Sequence, residues 1–379
     1  MKYKFFFVSG YYSEYWRELY ERTPKLAERS YRWQMKTLLG KKLGVADFYS
    51  KGLEKLGQET ETCFYNCPQV QLAWLKEKRP SIFVGVWVYL MLKRVQGGDE
   101  QIWPEWLARL IVQKQIENFE PDVIYTFYNV FGKAEALRQK NKGLMLVLHS
   151  ANPKSLGVER LKHYDLVITT ADFLVRMIRE LGVNCELLNP GFEVNVAMDL
   201  KRWRKKILVL FVGSLSPDHK QRLELLNYVA EKVPELELYG RVSIDLQEYP
   251  HLKEKYRGPL DGVEMLEAIY NARIVIHSHV DMAKGAAHAM RLFEVAGLGS
   301  LLLTDEKTDR KCYEDGKEMV IYISAHDCVK KIRYYLAKEK ERQAIAKAGR
   351  NRTKKDHVYK IRMRELLGII DKYHDRISG

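Results

Sequence analysis

Nine short apolar runs rich in Val, Ile, Leu and Phe punctuate this sequence, with longer amphipathic stretches between them. They are KFFFVSG (4–10), DVIYTF (122–127), LMLVLHS (144–150), DLVITT (165–170), ILVLFVGS (207–214), LELYG (236–240), RIVIHSH (273–279), SLLLTD (300–305) and MVIYIS (319–324). Runs that stay apolar at consecutive positions suit strands buried on both faces, as in a parallel sheet covered by helices. Many of the runs end in Gly, Ser, Thr, Asp or His. In open α/β sheets, ligands bind just beyond the carboxyl ends of the strands, so these polar ends are where chemistry is expected.

The series starts twice. KFFFVSG opens the chain, and ILVLFVGS opens a second series after the basic, non-periodic segment DLKRWRKK (199–206). That segment reads as a linker, and Pro190 and Gly191 mark a turn just before it. The pattern predicts an α/β protein of two Rossmann-like domains, spanning 1–198 and 199–354, with a final helix over 355–379 that could join either one. An insertion of aromatic-rich helices is expected over about 13–110 in the first domain. At 379 residues and 46% hydrophobic content, two cores are affordable.

The amino-terminal apolar run breaks into polar residues too soon for a signal peptide, and no uncharged apolar stretch reaches membrane-spanning length. A cytoplasmic protein is the expectation. Five scattered cysteines, at 63, 67, 185, 312 and 328, do not make a disulfide framework, and Cys63 and Cys67 lack the second pair that a zinc site needs. The net charge of +14 favours an anionic partner: a phosphorylated substrate, nucleic acid or an anionic membrane surface. It also fits a basic solvated surface.

Three strand ends stand out. In FVGSLSPDHKQRLELL (211–226), a strand ending at Gly213 and Ser214 leads through Lys220 and Arg222 into a helix. Unpaired amides and the positive dipole end of a helix start, joined by these cations, would cradle a diphosphate; a solvated turn is the plainer alternative. In HSANPKS (149–155), His149 stands where it would bond a sugar hydroxyl or carry a proton, unless it is a structural histidine. In IHSH (276–279), His277 and His279 share one side of a strand end, and a metal would need a third ligand, for which Asp281 is the nearby candidate. Finally, MRLFEVAGLGSLLLTD (290–305) reads as helix, tight turn and strand. Glu294 would accept the hydroxyls of a ribose there while Arg291, one turn earlier, meets phosphate. The alternative is a surface pair three residues apart, contributing tenths of a kcal/mol.

Taken together, these stretches resemble the retaining GT-B glycosyltransferases, and more narrowly their spore-maturation-protein-like branch with a group-1-type carboxyl-terminal domain. The resemblance also draws on LEAIYNARIVIHSH (266–279), YEDGKEMVIYIS (313–324), IRYYLAKEKERQAIAKAG (332–349) and HVYKIRMRELL (357–367). In the first half it rests on the stretches 11–57, 66–78 and 164–170. It implies two domains facing across a cleft, with a nucleotide-sugar donor on the second and a glycan, lipid-linked or protein acceptor on the first, in polysaccharide biosynthesis. By the same resemblance, Glu294 holds the donor ribose, and Gly10, Gly213, Ser214, Lys220, Arg222 and Arg291 surround the diphosphate. His149 contacts the reacting sugar, and His279, Asp281 and Lys284 lie near it. Related enzymes often carry a second Glu eight residues before the ribose Glu; here that position is Ala286.

No Asp-x-Asp metal motif is present, so charge on the leaving phosphate is expected to be met by cations and helix-start amides, without a metal or other cofactor. No carboxylate pair stands out as nucleophile and acid, which together with the resemblance points to front-face attack with retention. Basic and aromatic residues crowd 11–36, a candidate contact for an anionic membrane. The rival readings are a sugar-nucleotide or glycan-binding protein without turnover, another activity of the same fold such as an epimerase, and a nucleic-acid-binding protein. The last has no recognised motif behind it, and nucleic acid is not an expected partner.

Overall fold

The computed structural model describes residues 1–95, 103–128, 143–150, 157–203, 206–279, 281, 289–306 and 312–378. All nine apolar runs form strands. Two further strands complete the sheets: β1 (Lys4–Ser9), β2 (Glu59–Phe64), β3 (Val123–Thr126), β4 (Met145–His149), β5 (Leu166–Thr169) and β6 (Cys185–Leu187) build the first, and β7 (Ile207–Val212), β8 (Leu236–Tyr239), β9 (Ala272–His277), β10 (Leu301–Asp305) and β11 (Val320–Tyr322) the second.

The first sheet has the order β2-β1-β3-β4-β5-β6 and the second β11-β10-β9-β7-β8. The pairs that join β2 through β5, and all pairs of the second sheet, are parallel. Each sheet therefore runs outward from its first strand in both directions, and the strand order reverses between β1 and β3 in one and between β7 and β9 in the other. Those two crevices, at the carboxyl ends, are where ligands collect in doubly wound sheets.

The helical insertion expected over 13–110 needs a correction, because β2 lies inside it and pairs with β1 from Lys4↔Glu59 to Ser9↔Phe64. Its sequence, ETETCF, starts polar and is buried only over its last three residues, so it carries no continuous apolar run. The three-residue β6 was equally invisible to periodicity.

By contacts the chain divides into two compact units, one of Met1–Ile168, Ile178–Glu186 and the chain from Leu366, the other of Thr169–Met177 and Leu187–Glu365. In the second unit, Phe192 N–H donates to His357 O at 2.8 Å and Tyr359 N–H to Phe192 O at 3.1 Å. The Phe192 ring then lies where a Cβ on Gly297 would fall, 2.5 Å from it. This is why the helix Met290–Leu298 carries glycine there. Gly299 ends that helix in the left-handed conformation at φ +87°, a common helix stop. The linker segment also packs within this unit: buried Asn271 accepts from Trp203 N–H at 2.8 Å and donates to Lys201 O at 2.9 Å. In the first unit, the end of the chain is tied down by Tyr3 to Asp371 (2.8 Å) and by Lys372 and Tyr373 to Glu186 (both 2.7 Å).

Beyond β7 and β8 the backbone itself closes up. Gly240 has φ +146°, and a Cβ there would sit 1.8 Å from Gly213 O. Backbone cannot swing aside as a side chain does, so Gly240→Ala is expected to cost at least about 2 kcal/mol of stability. Urea denaturation of wild type and variant checks it.

Candidate functional site

In the second unit, Arg222 sits in the first turn of the helix Lys220–Lys232 and is buried. Its Nη1 donates to Ser214 O at 3.2 Å and its Nη2 to Ser278 O at 2.7 Å. One guanidinium thus ties the chain leaving β7 to the chain leaving β9, across the point where the strand order reverses. Its carbon lies 5.9 Å from the Phe211 ring centre, and its buried Nε–H has no partner among the described residues. Burial lowers its pKa, and Asp305, Tyr322 and Asp281 push it back up; an arginine stays charged under such conditions.

Lys220 points into solvent, its side chain 77% exposed and 4.0 Å from Glu224. Asp281 has a more telling position. Its Oδ2 accepts from Gln221 N–H at 3.1 Å, so a carboxylate already occupies one of the helix-start amides expected to hold phosphate.

His277 and His279 are both buried, their rings edge to face at 4.5 Å. His277 Nδ1 meets Thr304 Oγ1 at 3.1 Å, and the Tyr322 hydroxyl donates to His277 O at 2.9 Å. Burial, then the charges of His279, Arg222 and Arg291, hold the His277 pKa well below its ordinary value, so this ring is neutral. His279 N–H donates to Asp305 Oδ2 at 3.0 Å while its Nδ1 meets Asp305 Oδ1, which leaves a buried Nε2 with no partner among the described residues. Ligand atoms of His277, His279 and Asp305 lie within 4.8 Å of one another. The third member of this group is therefore Asp305, not the Asp281 that the sequence offered. Such a trio holds a small cation or, as a His–Asp pair, orients a ring nitrogen. The nearby guanidiniums of Arg222 and Arg291 weigh against a divalent ion.

Glu294 and Arg291 form an ion pair at 2.7 Å with side chains 9% and 18% exposed, and Arg291 Nη2 also reaches Met265 Sδ at 2.9 Å. They are not the solvated surface pair of the plainer alternative. A pair this far from water is costly to break, because the remaining charge loses its counter-charge. A second cation, Arg241, follows β8 and is held by Asp261 at 2.7 Å, with Arg241 O accepting from Leu215 N–H at 2.9 Å. Neither residue carries a sequence signature, since their spacing of twenty places fits no local motif. Asp305 was findable, as the polar end of the run SLLLTD. Beside this group a hollow of about 410 Å³ is lined in part by Ser278, Tyr322, Glu224, Asp305 and Glu306. Three carboxylates disfavour an anion there and suit hydroxyl donors.

In the first unit, Gly10 and His149 lie at the same end of the sheet, with β3 between their strands. The Tyr128 hydroxyl donates to Gly10 O at 3.0 Å. A Cβ on Gly10 would fall 2.7 Å from the Tyr65 ring and 2.9 Å from Asn66 Oδ1, so packing alone demands glycine here. His149 Nδ1 meets the Tyr125 hydroxyl at 2.8 Å, and the rings of Phe127, Tyr125 and Tyr49 surround it at 5.3, 5.9 and 6.0 Å. Burial lowers its pKa to about 4. A neutral imidazole is a hydrogen-bonding group at pH 7 and a weak proton acceptor. Lys284, Ala286 and residues 151–155 lie outside the described residues.

A family model for glycosyl transferase-like proteins matches residues 220–368. No curated protein matches the chain by sequence. Among solved structures, it is similar to Anabaena HepE in complex with UDP-glucose, at 12% identity and TM-score 0.58, over 98% of this chain and 100% of that one. The two-sheet architecture is matched end to end. The chain has the GT-B fold. A glycosyltransferase from Rickettsia africae aligns at 12% identity and TM-score 0.55, over 99% and 98% of the two chains. The sucrose-phosphate synthase of Thermosynechococcus elongatus aligns at 14% and 0.51, over 73% of this chain and 82% of that one. At such identities the likeness is one of GT-B architecture.

The low pKa of His149 carries a sign. A histidine whose folded pKa of about 4 lies below its ordinary 6.5 favours the folded state fully above pH 6.5 and loses that contribution as pH falls toward 4. The loss is at most about 3 kcal/mol. Denaturation near pH 7 and near pH 4.5 should show a smaller acid loss in His149→Gln than in wild type.

Proposed function

We propose that this protein transfers a sugar from a nucleotide-sugar donor to an acceptor, with the donor held by the second unit. The observation that carries the proposal is the set of polar groups at the strand reversal between β7 and β9. Arg222 bridges Ser214 O and Ser278 O there, the charges of Asp305 and Arg291 act on it, and the Arg291–Glu294 and His279–Asp305 pairs complete the set. The glycosyl transferase-like match over 220–368 covers most of these residues. HepE, of the same fold, was captured with UDP-glucose.

In this reading Glu294 accepts ribose hydroxyls, and Gly213, Ser214, Lys220 and Arg291 surround the diphosphate. Arg222 keeps the crevice in shape and adds its field. His279 and Asp305 face the donor sugar. Charge develops on the leaving phosphate as the glycosidic bond breaks, and fixed cations and amides stabilise it without having to reorganise. A metal is not required. Retention by front-face attack fits the carboxylates, because Glu294, Asp305 and Asp281 each already carry a partner and none stands free as a nucleophile. The first unit takes the acceptor; Gly10 keeps its diphosphate assignment, and His149 contacts the reacting sugar as a neutral hydrogen-bonding group.

A panel of nucleoside diphosphates and nucleotide sugars, read by ligand-induced melting shifts, tests donor binding. Turnover of the responding donor with and without a chelator tests transfer and metal independence, and activity is expected to survive chelation. Binding without turnover would make this a sugar-nucleotide-binding protein. Glu294→Gln keeps the side-chain volume but removes a charged acceptor. It is expected to weaken nucleoside diphosphate binding by about tenfold to a hundredfold by calorimetry. Unchanged affinity in a folded variant would remove the ribose assignment.

A further inference from the structure

The helix Pro80–Val95 is apolar on two faces, and among the described residues only one of them is accounted for by packing. Val86 is buried against Trp74, Leu75, Leu107 and Ile111, with Phe83 and Leu90 packed beside it. On the other side, Val84, Trp87, Val88, Met91 and Leu92 are 59%, 51%, 43%, 42% and 58% exposed. Their spacing of three and four residues lines them up as one stripe along the helix. Trp106, on the next helix and 51% exposed, continues the stripe through an edge-to-face contact with Tyr89 at 5.2 Å. A contiguous apolar surface of this kind marks an interaction site.

We propose that this stripe docks the protein on an anionic membrane surface. The charges around it are complementary to one. The helix holds no acidic residue from Pro80 to Val95. Exposed Lys76 and Lys78 precede it, and Lys93 follows at 6.0 Å from the Tyr89 ring. Among the described residues, the carboxylates that flank the helix in sequence are engaged: Glu77 accepts from Tyr31 N–H at 2.7 Å, and Glu105 pairs with Arg109 at 2.5 Å. Exposed tryptophans beside an aliphatic stripe, flanked by lysines, match a helix lying in the plane of the lipid headgroups. The helix lies on the bilayer and does not cross it, because no described helix is long and apolar enough to span one. The basic, aromatic segment 11–36 singled out by sequence is a weaker candidate, since Trp16, Tyr20, Leu26 and Met35 are buried in a core of their own. The proposal does not depend on the transfer reaction.

Flotation of the full chain with phosphatidylglycerol vesicles and with phosphatidylcholine vesicles tests it, with no activity measured. Wild type should float with the anionic vesicles, and less with neutral ones or in high salt. Trp87→Glu and Leu92→Glu alter exposed side chains, so their melting should match wild type while partitioning falls at least about tenfold. The double change Lys76→Glu, Lys78→Glu should remove the preference for anionic lipid. Failure of wild type to bind, equal binding to both vesicles, or wild-type binding by both stripe variants would overturn the proposal. So would a wild-type dimer in light scattering that Leu92→Glu turns into a monomer, because a second copy would then cover the stripe.

Discussion

One guanidinium holds the strand reversal of the second sheet in shape. Where β7 and β9 part, their chains must run away from each other, and the carbonyls of Ser214 and Ser278 lose ladder partners. Arg222 answers both from a single rigid fork. A lysine has one point charge and would satisfy one carbonyl well. Beside the Arg222 fork, Gly213 N–H donates to Tyr239 O at 3.0 Å, and that continued pairing of β7 with β8 brings Gly213 against Gly240. With the backbone pinned at these points, the flanking histidines and acids inherit fixed positions.

Much of this architecture was legible in the sequence, for a physical reason. A strand buried on both faces must be apolar at every position, and that signal survives without neighbours. Edge strands carry no such obligation, which is why ETETCF escaped notice. The site was legible in part. Arg291 and Glu294 are readable as a pair from their spacing, but their burial is set by what packs over them, Met265 included. Asp305 and His279 are 26 residues apart and meet only because β9 and β10 are neighbours in register. Gly10 shows the opposite limit: the Tyr65 ring gives this glycine a packing reason independent of any ligand.

The two histidine environments differ in kind. His149 sits among aromatic rings with one hydroxyl partner, so desolvation alone keeps it neutral. His279 sits against a carboxylate that fixes its ring and leaves the buried Nε2 with no partner among the described residues. An unsatisfied buried polar atom has a cost, and in a stable domain it persists where something else gains from it. On the proposed reading that gain is a bond to the donor sugar, beside a hollow whose carboxylates also favour hydroxyls.

Charge at the strand reversal is nearly balanced, although the chain as a whole carries +14. Arg291 faces Glu294, Arg241 faces Asp261, and Asp281 and Asp305 both act on Arg222. On the proposed reading, an incoming diphosphate therefore does not meet a bare cationic pit. It competes with resident carboxylates for cations and for the helix-start amide of Gln221, which Asp281 already holds. Lys220 differs from the others, being solvent-exposed and only loosely held by Glu224 at 4.0 Å. On the proposed reading, such a cation on a flexible stem turns toward a diphosphate without breaking a buried pair, which suits Lys220 to meet charge as it develops on the leaving oxygen. In that reading Arg291 joins Lys220 at the diphosphate, while buried Arg222 fixes the shape of the crevice.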